Sequence, residues 1–263
     1  MMKRCQNITS KLWSVSAIAL LIIIWHVVTS IGLVEKYLLP APVDVVTAFC
    51  EDFSVLMEHS AITLQEALIG LLFGVLVGFF VAVVMDRFLY MYKAIYPLII
   101  LTQTIPTVAV APLLVLWFGY DMAPKIILVV ITTFFPIAVG LLNGLKSVDG
   151  DYINLMKAMG GTRAQIFVHV KLPAAMPHFF GALRISASYA IVGAVISEWL
   201  GGFSGLGVYM TRVKKAFAFD KMFAVIFLIS IVSLMLIKLV DLLQKFCMPW
   251  EKNLENKEEG LFK

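Results

Sequence analysis

Residues Lys146 to Lys171 read KSVDGDYINLMKAMGGTRAQIFVHVK and run directly into Leu172-Pro173. This polar interruption lies between stretches apolar enough to cross a membrane, so it decides how the rest of the chain is read. The pattern predicts two short helices broken by Gly160-Gly161. Asp151 can cap the first, and Thr162 with Gln165 three residues on has the spacing of a capping box. The helix faces carry Lys157, Arg163 and Lys171 beside Met156, Met159, Ile166 and Phe167. A mixture of cations and large apolar side chains suits a groove on another protein, and the segment is expected to be a docking element.

The flanking sequence fixes the solvent. Of 263 residues, 61% are hydrophobic and 14% charged, and the mean hydropathy is +0.94. A water-soluble domain of ordinary composition carries about 25% charged residues, so this is an integral membrane protein, expected to be all-helical. The net charge of +4 does not argue for nucleic acid, because the basic residues stand at the ends of apolar runs, where they set orientation. Cys5, Cys50 and Cys247 lie far apart, and His26, His59, His169 and His178 are equally scattered. No metal-ligand spacing, disulfide framework or catalytic constellation is visible, so catalytic and metal residues are both expected to be none.

At roughly 20 apolar residues per crossing, six spans are expected near 12–33, 62–85, 94–119, 124–145, 176–199 and 222–244. The first apolar run, ending near Ser30-Ile31-Gly32, is long for a signal core and reads as a retained span. With the N-terminus inside, Lys3, Arg4, Lys11, Arg87, Lys93, Lys146, Lys157, Arg163, Lys171, Lys245, Lys252, Lys257 and Lys263 fall on the inner side. Lys36, Lys125, Arg212, Lys214, Lys215 and Lys221 fall outside. The asymmetry places both termini and the polar segment in the cytoplasm. The basic stretch from Arg212 to Lys221 is discordant, and is expected to lie along the outer surface with Asp220 offsetting part of its charge.

Gly70, Gly74 and Gly78 recur every four residues and give the second span a face on which a neighbouring helix can approach closely. Pro97, Pro106, Pro112, Pro124 and Pro136 punctuate the third and fourth spans, where each interior proline removes a backbone hydrogen bond. Polar residues inside spans are costly unless they pair or line a path. Thr102, Gln103, Thr104, Thr132, Thr133, Ser186, Ser188 and Ser197 are therefore candidates for a solute pathway. Glu66 and Glu198 are expected at the outer ends of their spans, on a mouth or surface. Arg184 and Lys238 are expected to snorkel to the inner interface.

The polar segment resembles the cytoplasmic signature of the inner-membrane permease subunits of binding-protein-dependent ABC importers. That signature has the form E-A-A-x-x-x-G, nine residues, then I-x-L-P. Here Asn154-Leu155-Met156 precede Gly160, and Val170-Lys171-Leu172-Pro173 close it. Asn154 stands where the family has glutamate, and Leu155 and Met156 where alanines are usual. Ile105-Pro106, Ala111-Pro112, Trp117-Phe118-Gly119, Lys125, Phe135-Pro136 and Gly144, with Glu198-Trp199-Leu200-Gly201 and Gly205-Leu206-Gly207, resemble the branch that imports sulfonates, taurine and nitrate. Members of similar sequence import thiamine pyrimidine precursors or riboflavin. The resemblance covers about residues 38–245.

The resemblance implies a segment 1–34 with the first span, a permease domain 35–245 with coupling helices at about 149–172, and a cytoplasmic tail 246–263. It implies a bacterial inner-membrane protein acting as a dimer, most simply of identical copies. Its partners would be a dimer of ABC ATPase subunits inside and an extracytoplasmic solute-binding protein outside. ATPase coupling would fall to Asn154, Lys157, Ala158, Gly160, Gly161, Arg163, Phe167, Leu172 and Pro173. The chain would be no enzyme and hold no cofactor, with ATP and Mg bound by the partner. Consistently, it contains no G-x-x-x-x-G-K-[ST] loop. The competing class, a transporter driven by an ion gradient, calls for ionisable residues near mid-membrane and a repeat between halves.

Overall fold

In the computed structural model the described residues are 2–35 and 37–250, with side chains at 13 and from 16 onward. The side chains of Lys3, Arg4, Cys5 and Lys11, the residue Lys36, and the tail with Lys252, Lys257 and Lys263 lie outside the described residues. Every regular element among the described residues is helical. These are α1 (Met2–Ser30), α2 (Pro42–Glu51), α3 (Phe53–Arg87), α4 (Leu89–Thr104), α5 (Thr107–Phe118) and α6 (Met122–Lys146). They continue as α7 (Gly150–Ala158), α8 (Arg163–Ile166), a π-helical turn (Phe167–Lys171), α9 (Leu172–Leu200), α10 (Leu206–Lys215) and α11 (Phe219–Cys247).

Four helical runs are long and apolar enough to cross a membrane: Phe53–Arg87, Met122–Lys146, Arg163–Leu200 and Phe219–Cys247. The first span is represented by a shorter apolar stretch, Ser16–Ser30, at the end of α1. The third, expected over 94–119 with kinks or irregular turns at its prolines, is broken in two. It is the pair α4 and α5, bent by 97°. The cause is local: Ile105, preceding Pro106, is extended at φ −84°, ψ 119°, as the proline ring requires of its predecessor. Pro97, Pro112 and Pro136 stay inside their helices.

The chain forms two compact units. One joins the chain up to His59 with Tyr209–Leu228. Within it the Trp25 indole donates to the carbonyl of Pro40 at 3.0 Å and stacks on Phe227 with centroids 5.8 Å apart. Asp52, beyond the end of α2, accepts from the Tyr209 hydroxyl and pairs with Lys221 at 2.7 Å. The Lys221 ammonium and then the Tyr209 hydroxyl hold the Asp52 carboxyl below its ordinary range, while burial and the same contact push the Tyr209 phenol up. Lys221 thus takes its main partner from Asp52, whereas Asp220 was expected to offset the outer basic stretch.

The second unit joins Ser60–Val208 with the chain from Ile229 onward. Its core packs α6 against α9, with α3 and α11 contributing Ala67, Leu71, Leu236 and Val240. The glycine stripe works as a close-approach face. A Cβ at Gly70 would stand 2.5 Å from Val129, one at Gly78 would stand 2.8 Å from Ile137, and one at Gly74 would collide with the Thr133 hydroxyl. In lipid, where apolar surface gains nothing by leaving the solvent, such contact is what holds helices together.

Two consequences are measurable. Thr133 cannot swing aside because its hydroxyl donates to the Val129 carbonyl at 2.7 Å. Gly74→Ala should therefore cost ~1–3 kcal/mol, read as a lower melting temperature in detergent, and Thr133→Ala should recover part of the loss. Asp52→Asn should lower thermal stability at neutral pH. Because the folded carboxyl is depressed, the wild-type advantage is present above the ordinary carboxylate range and vanishes as pH falls through the folded value.

Candidate functional site

The polar segment is built as a short helix, a tight reversal and the start of a long one. Asp149, not Asp151, is the N-cap of α7, its carboxylate accepting from the Asp151 N–H at 3.0 Å. The cap lies two residues earlier because Gly150 already has helical geometry. Gly160 ends the helix at φ +81°, a left-handed conformation that only glycine adopts without cost. The Thr162 and Gln165 capping box is formed in both directions, at 2.7 and 3.3 Å. The second helix is not short, however. It continues from Arg163 to Leu200 without a break. Pro173 should disrupt it, but the wider π turn just before, closed by the Leu172 N–H to the Phe167 carbonyl, accommodates a proline ring in place of a regular donor.

Asn154, Lys157, Ala158, Gly160 and Arg163 are exposed, whereas Gly161, Phe167, Leu172 and Pro173 are half-buried. At 100° per residue, Ile153 and Lys157 share one side of α7. They turn toward a groove of about 640 Å³ shared with the end of α3. Tyr152, Leu155 and Met159 face the opposite way, with Leu155 59% and Met159 75% exposed. Beside the groove the Lys171 ammonium bonds both oxygens of Asp86, at 2.7 and 2.9 Å.

Most span hydroxyls turn to their own helices. Thr102, Thr104, Thr132, Thr133 and Ser197 donate to carbonyls three or four residues back, as threonine and serine commonly do in helices. Ser186 instead donates across to the Thr133 carbonyl at 2.9 Å, joining α9 to α6. Ser188 is half-buried on α9. Gln103 stands apart, because it lines both of two adjoining cavities of about 540 and 240 Å³ at the α4–α5 bend. Thr102 and Thr132 line the smaller one.

Residues that were not among the pathway candidates complete these walls: Phe135, Asn143, His178 and Tyr189 in the larger cavity, with Tyr189 again in the smaller. His178, Ile185 and Tyr189 recur down one side of α9, a helical spacing that could have marked a lined face. Neither lining contains Lys, Arg, Asp or Glu. A break between half-helices beside a cavity is also where irregular backbone is tolerated at membrane depth.

Glu66 and Glu198 depart from expectation in placement. They are 1% and 2% exposed, not on a surface. Glu66 accepts from Lys125, itself 4% exposed, at 2.7 Å. Glu198 accepts from the Thr63 hydroxyl at 2.7 Å and from the Gly207 N–H at 2.6 Å, while Thr63 accepts from the Leu206 N–H at 2.8 Å. A side chain at Gly207 would strike Glu198, so the glycine permits the carboxylate to reach the first turn of α10. This knot ties α3, α6 and α9 to the start of α10. Glu66 and Arg87 are separated by about 30 Å along α3 at 1.5 Å per residue, so the knot and the polar segment stand at opposite ends of the span. Arg184, expected to snorkel, pairs with Asp241 at 2.5 Å and donates to Gln244.

Comparison with known proteins follows the geometry. Residues 74–252 match the family described as binding-protein-dependent transport system inner membrane component. The formylaminopyrimidine transport permease protein of Halalkalibacterium halodurans is 35% identical over 235 residues, covering 89% of this chain and 93% of that protein. The taurine transport system permease protein of Escherichia coli is 30% identical over 244 residues, covering 90% and 89%. The inward-facing MetNI methionine ABC transporter superposes with a TM-score of 0.64 at 20% identity, over 74% of this chain and 97% of that one.

The knot supplies its own test. Removing one partner of a buried ion pair costs ~3–5 kcal/mol, because the other charge is left unpaired. Lys125→Met should therefore lower the melting temperature steeply, and adding Glu66→Met should restore much of it.

Proposed function

The chain belongs to the family of binding-protein-dependent transport system inner membrane components, and from that premise we propose that it is the membrane-spanning permease subunit of an ATP-driven importer. Two copies would enclose the path, with ATP and Mg held by two partner ATPase subunits. A binding protein would deliver the solute on the side of the Glu66–Lys125–Glu198 knot, and the polar segment and both termini would be cytoplasmic. Transport would proceed by alternating access: closure of the ATPases on ATP draws the coupling segments together and tilts the spans.

The observation that carries this reading is the polar segment. It presents Leu155 and Met159 to solvent, and its second helix is continuous with a 38-residue run reaching across the bundle. A push on Leu155 and Met159 therefore acts, through one turn set by Gly160, on a rigid lever. The exposed Asn154 lies beside them on α7 and supplies an amide where a carboxylate is usual in the resembled signature. The chain itself would hydrolyse nothing.

The cavity walls favour one solute class. An anion such as a sulfonate would be held by a cation, whereas these walls offer Gln103, Asn143, His178, Phe135 and Tyr189. Amides that both donate and accept, beside aromatic rings, suit an uncharged heterocycle such as an aminopyrimidine. The relative named for formylaminopyrimidine supports the same choice. The taurine relative keeps the sulfonate reading as the alternative.

Affinity-tagged chain purified from its native membranes in mild detergent should carry an ATP-hydrolysing partner, and Gly160→Pro, which cannot adopt φ +81°, should lose it. Wild-type chain that purifies without any ATPase would overturn the reading and favour an ion-gradient transporter. In membrane vesicles holding the assembled system, a labelled aminopyrimidine should be taken up in an ATP-dependent manner and taurine should not compete. Gln103→Ala should reduce that uptake at least about tenfold while the ATPase still co-purifies. Competition by taurine would restore the sulfonate alternative.

A further inference from the structure

Lys157 and Arg163 do not share the side of the polar segment that presents Leu155 and Met159. They line the groove at the end of α3, together with Arg87 and Lys171. Asp86 is the single carboxylate in that lining, and it is already engaged by Lys171 at 2.7 Å. The groove therefore carries a net charge of three positives, from Arg87, Lys157 and Arg163, against walls that include Val83, Ile166 and Phe167. Arg87 stands in the last turn of a helix that crosses the membrane, which is the depth at which lipid headgroups lie. A soluble anion would be served by the cations alone. A site combining three cations with an apolar wall at headgroup depth is complementary to a phosphodiester joined to acyl chains.

We propose that this groove binds the headgroup of an anionic phospholipid, with Arg87 and Arg163 on the phosphate and Lys157 closing the site from α7. The proposal rests on the reading that the polar segment is cytoplasmic and couples to an ATPase, and it separates the two faces of α7. The apolar face meets the partner protein, and the cationic face meets the membrane. An occupied groove ties α7 to the end of α3, so that the segment moves with the span instead of pivoting at Gly160.

The tagged complex is delipidated in mild detergent and titrated with phosphatidylglycerol or phosphatidylcholine, bound lipid being counted by native mass spectrometry. Wild type should bind phosphatidylglycerol in preference to phosphatidylcholine. Arg87→Gln/Arg163→Gln should bind it about thirtyfold more weakly, at about fivefold per cation, while the ATPase partner is retained. Arg87→Lys/Arg163→Lys, which keeps the charge, should retain binding and guards against misfolding as the cause. Unchanged phosphatidylglycerol binding in the glutamine variant would overturn the proposal. So would displacement of the lipid by millimolar inorganic phosphate, which would make the site one for a soluble anion. Loss of the ATPase with lipid binding intact would assign the cations to the protein interface. Failure of the importer reading shows separately, as wild-type chain without an ATPase partner.

Discussion

A bilayer offers no water to a polar group, and this constraint governs most of the observed structure. Helices satisfy their own backbones, so the elements that need explanation are the exceptions. The α4–α5 bend opens two helix ends within an apolar span, and it lies beside the two cavities. Several charged side chains of the bundle are gathered into pairs: Lys125 with Glu66, Lys171 with Asp86, and Arg184 with Asp241 on α11. Most of the span hydroxyls fold back onto carbonyls of their own helices. Gln103, Asn143, His178 and Tyr189 are the polar side chains that, with Thr102, Thr107 and Thr132, line the cavities.

Helices that gain nothing by leaving lipid must be held by contact, which explains the small residues between α3, α6 and α9. Gly70, Gly74 and Gly78 receive Val129, Thr133 and Ile137. Closely packed helices move as bodies and do not bend where they touch. A lever such as Arg163–Leu200 can then transmit a displacement from the polar segment to the cavity walls, since Gly181, Ile185 and Tyr189 belong to the same run. The π turn before Pro173 is what keeps that run continuous.

Much of this was legible from residue types. Apolar length marked the crossings, the glycine period marked a packing face, and Thr162 with Gln165 marked a helix start. Other features depend on partners distant in the chain. Glu66 and Glu198 read as surface carboxylates because nothing near them in sequence reveals that Lys125, 59 residues from Glu66, and Thr63, 135 residues from Glu198, would enclose them. The third span was expected to kink at its prolines, but Pro106 alone cannot distinguish a kink from a 97° turn. His178 was weighed only as a metal ligand, and nothing in the sequence separates Tyr189 from a core aromatic; only the cavity sets them apart. Lys157 and Arg163 read together with the docking face because both are polar-segment cations; the register of α7 turns Lys157 away from Leu155 and Met159, and both cations line the groove at the end of α3.

The central claim is that two copies of this chain enclose a path whose width is set by nucleotide at a partner subunit. It is tested most directly by spin labels at Tyr189→Cys, in a chain whose Cys5, Cys50 and Cys247 are replaced by serine. Inter-label distances would be measured by pulsed electron paramagnetic resonance in the reconstituted complex. A resolved distance between copies that shifts when ATP and vanadate are added is the expected result. An absence of coupling between labels, or a distance indifferent to nucleotide, would contradict it.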